Sequence, residues 1–62
     1  MLPKDPAILL SMINMKLRDN YDSLDSLCDD LDEDRESIEN VLRGAGYVYS
    51  AGNNAFISHG SD

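Results

Sequence analysis

The fold of this 62-residue chain turns on residues 26–50, SLCDDLDEDRESIENVLRGAGYVYS. Leu24, Leu27, Cys28 and Leu31 follow the i, i+3, i+4, i+7 spacing of a helix with one buried stripe. Asp22 or Ser23 precedes it as the capping residue, and Asp25, Asp29 and Asp30 fall on its outer face. A tight connection, Leu31-Asp32-Glu33-Asp34, leads to a second amphipathic run in which Ile38, Val41, Leu42 and Ala45 form the expected buried face. Asp34 is expected to cap that helix and Glu36 to sit against its positive N-terminal dipole, while Arg43 suits the last turn and Gly46 the left-handed C-terminal position. The pattern then changes to alternation. Tyr47-Val48-Tyr49 and Ala55-Phe56-Ile57 flank a loop in which Gly52, Asn53 and Asn54 tolerate positive backbone angles, which predicts a short β-hairpin. A lone hairpin is marginal in water, so Tyr47, Tyr49 and Phe56 are expected to pack partly on the helices.

Working outward toward the N-terminus, Asp5-Pro6 marks the start of another helix that runs to about Asn20. The carboxylate can cap free N–H groups, and Pro fits the first turn, where its missing N–H costs nothing. At about 100° per residue, Leu9, Leu10, Ile13, Leu17 and Tyr21 share one face. Ile8, Met12 and Met15 fall nearly opposite, so one helix carries two apolar stripes. Either the hairpin or the N-terminal arm covers the second stripe, or it is a contact surface, which the first helix of a homodimer would satisfy. The order is then three helices followed by a hairpin, mainly α, a helix-turn-helix core with a miniature winged-helix shape. Residues 1–58 form a single small domain, and 59–62, including the one histidine, His59, are expected to be a disordered tail.

The charge of this chain argues against the function that the shape suggests. Twelve Asp and Glu against five Lys and Arg give a net charge of −7. Between Asp22 and Glu39 lie nine acidic residues and one arginine, whereas Lys4, Lys16 and Arg18 face only Asp5 and Asp19 in the first third. Affinity for DNA comes largely from cations that neutralise phosphates, and sequence readers concentrate Arg, Lys, Asn, Gln or Ser at the start of the second helix of the motif. Here that start reads Asp34-Arg35-Glu36-Ser37, with Glu39 and Asn40 on the next turn. Direct nucleic-acid binding is therefore not expected. Asp25, Asp29, Asp30, Asp32, Glu33, Asp34, Glu36 and Glu39 are expected to form a solvated acidic surface that could meet a basic protein surface.

Other chemistry finds little support. Asp30, Asp32 and Asp34 match the first, third and fifth positions of a calcium loop, but Arg35 stands where the turn glycine belongs and Val41 where the bidentate glutamate belongs. No metal or other cofactor is expected. Cys28, the single cysteine, lies on a buried stripe, and His59 falls in the tail, so no nucleophile and base are held together and no enzyme is expected. The longest apolar run, residues 7–10, cannot span a bilayer, and no signal peptide is evident, so the expected location is cytoplasmic with no membrane partner.

The segments MLPKDPAILLSMINMKLRD, SLDSLCDDLDEDRESIENVL and GYVYSAGNNAFI together resemble a family of short bacterial proteins classed only as a domain of unknown function. The resemblance spans nearly the whole chain, through the LPKDP motif, the Leu24-Asp25-Ser26-Leu27-Cys28 segment and Gly46-Tyr47 with Asn54 and Phe56. It implies a bacterial cytoplasmic protein and transfers no activity, ligand or catalytic residue. The expected function is a non-catalytic protein–protein interaction module, a homodimer through Ile8, Met12 and Met15 being one form. The alternative is a transcription-associated protein that contacts DNA weakly or with a partner.

Overall fold

A computed structural model describes residues 2–58 of the chain. Three helices are followed by a two-stranded antiparallel hairpin: α1 Pro6–Asp19, α2 Leu24–Leu31, α3 Arg35–Gly44, β1 Tyr47–Ser50 and β2 Ala55–Ser58. The element order is the expected one. The tail from 59 onward, with His59, lies outside the described residues.

Local chemistry accounts for most of the element ends. The Asp5 carboxylate accepts the Ala7 N–H at 2.9 Å, with Pro6 as the first helical residue. Ser23, rather than Asp22, caps α2 by accepting the Ser26 N–H at 3.1 Å. The chain leaves α2 through Asp32 in the left-handed region, φ 56°, and Glu33 N–H closes onto the Cys28 carbonyl at 2.9 Å. Aspartate tolerates that conformation better than most residues, which lets only three residues separate α2 from α3. Asp34 occupies the N-cap position of α3 but does not cap by its side chain, a departure from expectation. Its carboxylate instead accepts the Ser37 hydroxyl at 2.9 Å, and hydroxyl and backbone N–H compete for the same oxygens. Gly46, with φ +95°, turns the chain out of α3 into β1. In the hairpin loop only Asn54, φ 50°, takes a positive angle, whereas Gly52 and Asn53 do not. Four loop residues leave room for the turn to be made with one left-handed position at its end.

The core comprises Leu9, Ile13 and Leu17 of α1, Leu24, Leu27 and Cys28 of α2, Ile38 and Leu42 of α3, and Phe56 of β2. Leu2, Leu10, Tyr21, Leu31, Tyr47 and Tyr49 pack against it. Phe56 and Tyr49 stand opposite each other across the hairpin with ring centroids 5.6 Å apart, so the strands bring their aromatic face onto the helices. Two residues expected inside are not: Val41 is 39% exposed and Ala45 is exposed. Val41 lines an open groove beside Leu2 and Pro3 of the N-terminal arm, and the buried line of α3 narrows to Ile38 and Leu42. Cys28 is buried as expected, and burial pushes its thiol up from the ordinary range.

Candidate functional site

Three surfaces could carry function, and each follows from how the hairpin docks. The first is a polar seam. Asn14, in the middle of α1, receives the Phe56 N–H on its Oδ1 at 2.7 Å and donates Nδ2 to the Phe56 carbonyl at 3.1 Å. One side-chain amide thus satisfies the outward edge of β2 as a neighbouring strand would. Asn54 does the corresponding work at the other end of the helix. Its Nδ2 donates to the carbonyls of Leu17, at 3.1 Å, and Tyr21, at 2.9 Å, and its Oδ1 accepts the Tyr49 hydroxyl at 2.7 Å. The Tyr49 oxygen in turn accepts the Leu24 N–H at 3.2 Å. The Leu17 carbonyl in the last turn of α1 and the Leu24 N–H at the start of α2, groups that helix termini leave without partners, are taken up by the hairpin, as is the Tyr21 carbonyl between the two helices. These bonds are all internal, so the seam holds the fold.

The second surface is acidic. Asp25, Asp29, Asp30, Asp32, Asp34 and Glu36 are exposed, and Glu33 is half-buried. Glu39 departs from the solvated reading. Its side chain is 24% exposed and accepts Arg35 Nε at 2.8 Å. Arg35 also donates to Asp25 at 2.7 Å and lies over the Tyr49 ring at 5.7 Å from its centroid. Those two carboxylates hold the guanidinium charged far above its ordinary range. The arginine at the start of α3 is therefore bound by α2, by its own helix and by β1. Its i, i+4 relation to Glu39 is visible in the sequence, but the reach to Asp25 depends on the angle between α2 and α3. Asp30, Asp32 and Asp34 do not converge, and among the described residues no group of three His, Cys, Asp or Glu is placed to hold a metal ion.

On the same side the Tyr21 hydroxyl donates to Asp30, and that bond, reinforced by desolvation, pushes the phenol above its ordinary value. The bond supports the fold while the phenol is protonated, and its contribution is lost as pH rises through the raised value. In an absorbance titration, one of the three tyrosines is expected to ionise late. Asp30→Asn is expected to bring it back toward the others. A late tyrosine that survives this substitution would show that Asp30 is not the cause.

The third surface is apolar and runs along α1. Ile8 is 57% and Met15 51% exposed, with Met12 half-buried between them, so neither hairpin nor N-terminal arm covers the stripe. Beside it a groove of about 640 Å³ opens between α1 and the start of β2, its walls including Leu10, Ser11, Met15, Arg18 and Ala55. The groove exists because Asn14 holds β2 at a hydrogen-bonding distance from the helix, and it was not legible in the sequence. Arg18 at its end is paired with Asp19 at 2.9 Å, whereas Lys4 and Lys16 make no ion pair among the described residues. No described helix is long and apolar enough to cross a membrane.

The domain family described as "Domain of unknown function (DUF4250)" matches residues 3–56. No curated protein and no solved structure matches the chain.

Proposed function

This chain belongs to the DUF4250 family, whose description assigns no activity, and from that premise we propose that it is a non-catalytic protein-interaction module that docks through the outer face of α1. The observation that carries this reading is the exposed Ile8–Met12–Met15 stripe, continuous through Met15 with the groove beside β2. A domain this small has little apolar surface to spare, and two large side chains more than half exposed on one stripe add nothing to its core, as is expected of a contact surface. Methionine adapts its shape to a partner better than a branched side chain does. The acidic side supports the same assignment from the opposite direction. Arg35, the one cation between residues 22 and 39, is held by Asp25 and Glu39, so the start of α3 offers phosphate a negative surface. Cys28, buried with its thiol pushed up, is a core side chain and not a nucleophile.

The test is affinity capture from the source cell with the tagged wild-type chain and with Met12→Asp, beside a titration of duplex DNA at low salt. Partners, including further copies of the chain, are expected to be lost with Met12→Asp, and DNA is expected not to bind. Partners that both baits retain would overturn the assignment to α1. DNA binding that weakens steeply with salt would overturn the interaction reading as a whole.

A further inference from the structure

We propose that the occupant of this face is α1 of a second copy of the chain, packed antiparallel about a two-fold axis that passes between Ser11 and Met12. The proposal rests on the reading of that face as a docking surface. Charge restricts where two copies can meet. Each carries −7, with nine carboxylates against one arginine in residues 22–39, so contact through α2 or α3 sets like charges together. Around α1 the balance is three cations, Lys4, Lys16 and Arg18, against Asp5 and Asp19.

The same residues fix the direction. In the antiparallel register Ile8 lies level with Met15 of the partner subunit, and Met12 lies beside Met12 of the partner subunit. Ala7 and Ser11 flank the stripe with small side chains, which lets two helices approach. Lys4, in the arm just before the Asp5 N-cap, then comes to the end of α1 that carries Asp19 of the partner subunit. Lys16 comes within two residues, about 3 Å of axial rise, of Asp5 of the partner subunit on the same flank. These are the two lysines that make no ion pair among the described residues. A parallel pair would instead set every residue beside its own copy, Lys16 on Lys16 and Asp19 on Asp19, and would align the two helix dipoles unfavourably.

The footprint sets the strength. Fourteen residues make a ridge about 21 Å long, and at a width of about 10 Å its footprint is roughly 200 Å², well below the roughly 800 Å² per partner of a standard stable interface. The dimer is therefore weak and depends on concentration.

Sedimentation equilibrium of the full chain, from tens of micromolar to about a millimolar, tests this. The mean mass is expected to rise from one copy toward two. Met12→Asp abolishes the rise, and Lys4→Glu and Asp19→Lys each weaken association several-fold. The double variant Lys4→Glu/Asp19→Lys restores it, since the swapped charges still face each other. All three substituted positions are exposed or half-exposed, and circular dichroism confirms folding. In a Cys28→Ser background, Ser11→Cys and Met12→Cys are expected to form disulfide-linked dimers on oxidation, and Ile8→Cys is not. A monomer at every concentration, an unrestored double variant, or cross-linking at position 8 in place of 11 and 12 would each overturn the proposal. A monomer whose captured partners are still lost with Met12→Asp overturns the second copy alone. A monomer whose partners survive that substitution overturns the docking surface as well.

Discussion

Asn54→Gly is expected to lower the melting temperature by about 10–20 °C, the shift that roughly 2–3 kcal/mol produces in a domain of this length. Glycine accepts the φ of 50° at this position, so the backbone conformation survives and the loss reports the side chain. That side chain makes three hydrogen bonds, to the Leu17 and Tyr21 carbonyls and from the Tyr49 hydroxyl, all in part-buried surroundings. Each such bond contributes about 1 kcal/mol net, and groups stranded away from water cost more. Single domains of 62 residues rarely command more than about 3–5 kcal/mol, so the variant is expected to be close to unfolding at physiological temperature. Asn54→Asp sharpens the point. It keeps an acceptor for Tyr49 but replaces the two donated bonds with a negative charge beside two carbonyl oxygens, and it is expected to be at least as damaging at neutral pH. Thermal melts followed by circular dichroism decide the matter. A change of only a few degrees in both variants would show that the seam is ornamental to stability.

Leu42→Ala is expected to cost about 2–5 kcal/mol, while Val41→Ala, one residue away, is expected to change stability by about 0.5 kcal/mol or less. Leu42 is fully buried, 0% exposed, between α1, α2 and the hairpin, and truncation leaves a cavity that a small, close-packed core cannot refill. Val41 is 39% exposed, and alanine's better helix propensity offsets part of the lost contact. Denaturant unfolding of the two variants reads the difference directly. Equal losses would show that α3 does not bury Leu42 in preference to Val41.

That pair also shows how far the sequence could be read. Spacing alone places Ile38, Val41, Leu42 and Ala45 on one helical face, and it correctly predicts that α3 is amphipathic. It cannot say how wide the covered part of that face is, because the width depends on where the N-terminal arm and the hairpin settle. The helix starts at Asp5-Pro6 and Ser23, the turn at Gly46 and the alternation from Tyr47 are local signals and were legible. Asn14 and Asn54 were not. In sequence an asparagine in mid-helix is a solvated polar residue, and one after Gly52-Asn53 is a turn former. Their bonds to Phe56 and to Leu17 and Tyr21 join positions 42, 37 and 33 residues apart. Arg35 is an intermediate case, since its bond to Glu39 is local and its bond to Asp25 is not. For the candidate interface the angular positions of Ile8, Met12 and Met15 were legible. Their exposure was not, because it depended on the hairpin docking along the Asn14 side.

A dilution series followed by backbone amide resonances of the full chain tests the α1 interface most directly. Movement with concentration is expected at Ile8, Met12 and Met15 and at neighbours such as Ser11, while Asp29–Glu36 stays unchanged. Resonances that move on the acidic side of α2 and α3, with those of α1 fixed, would show that copies of the chain meet elsewhere than through α1.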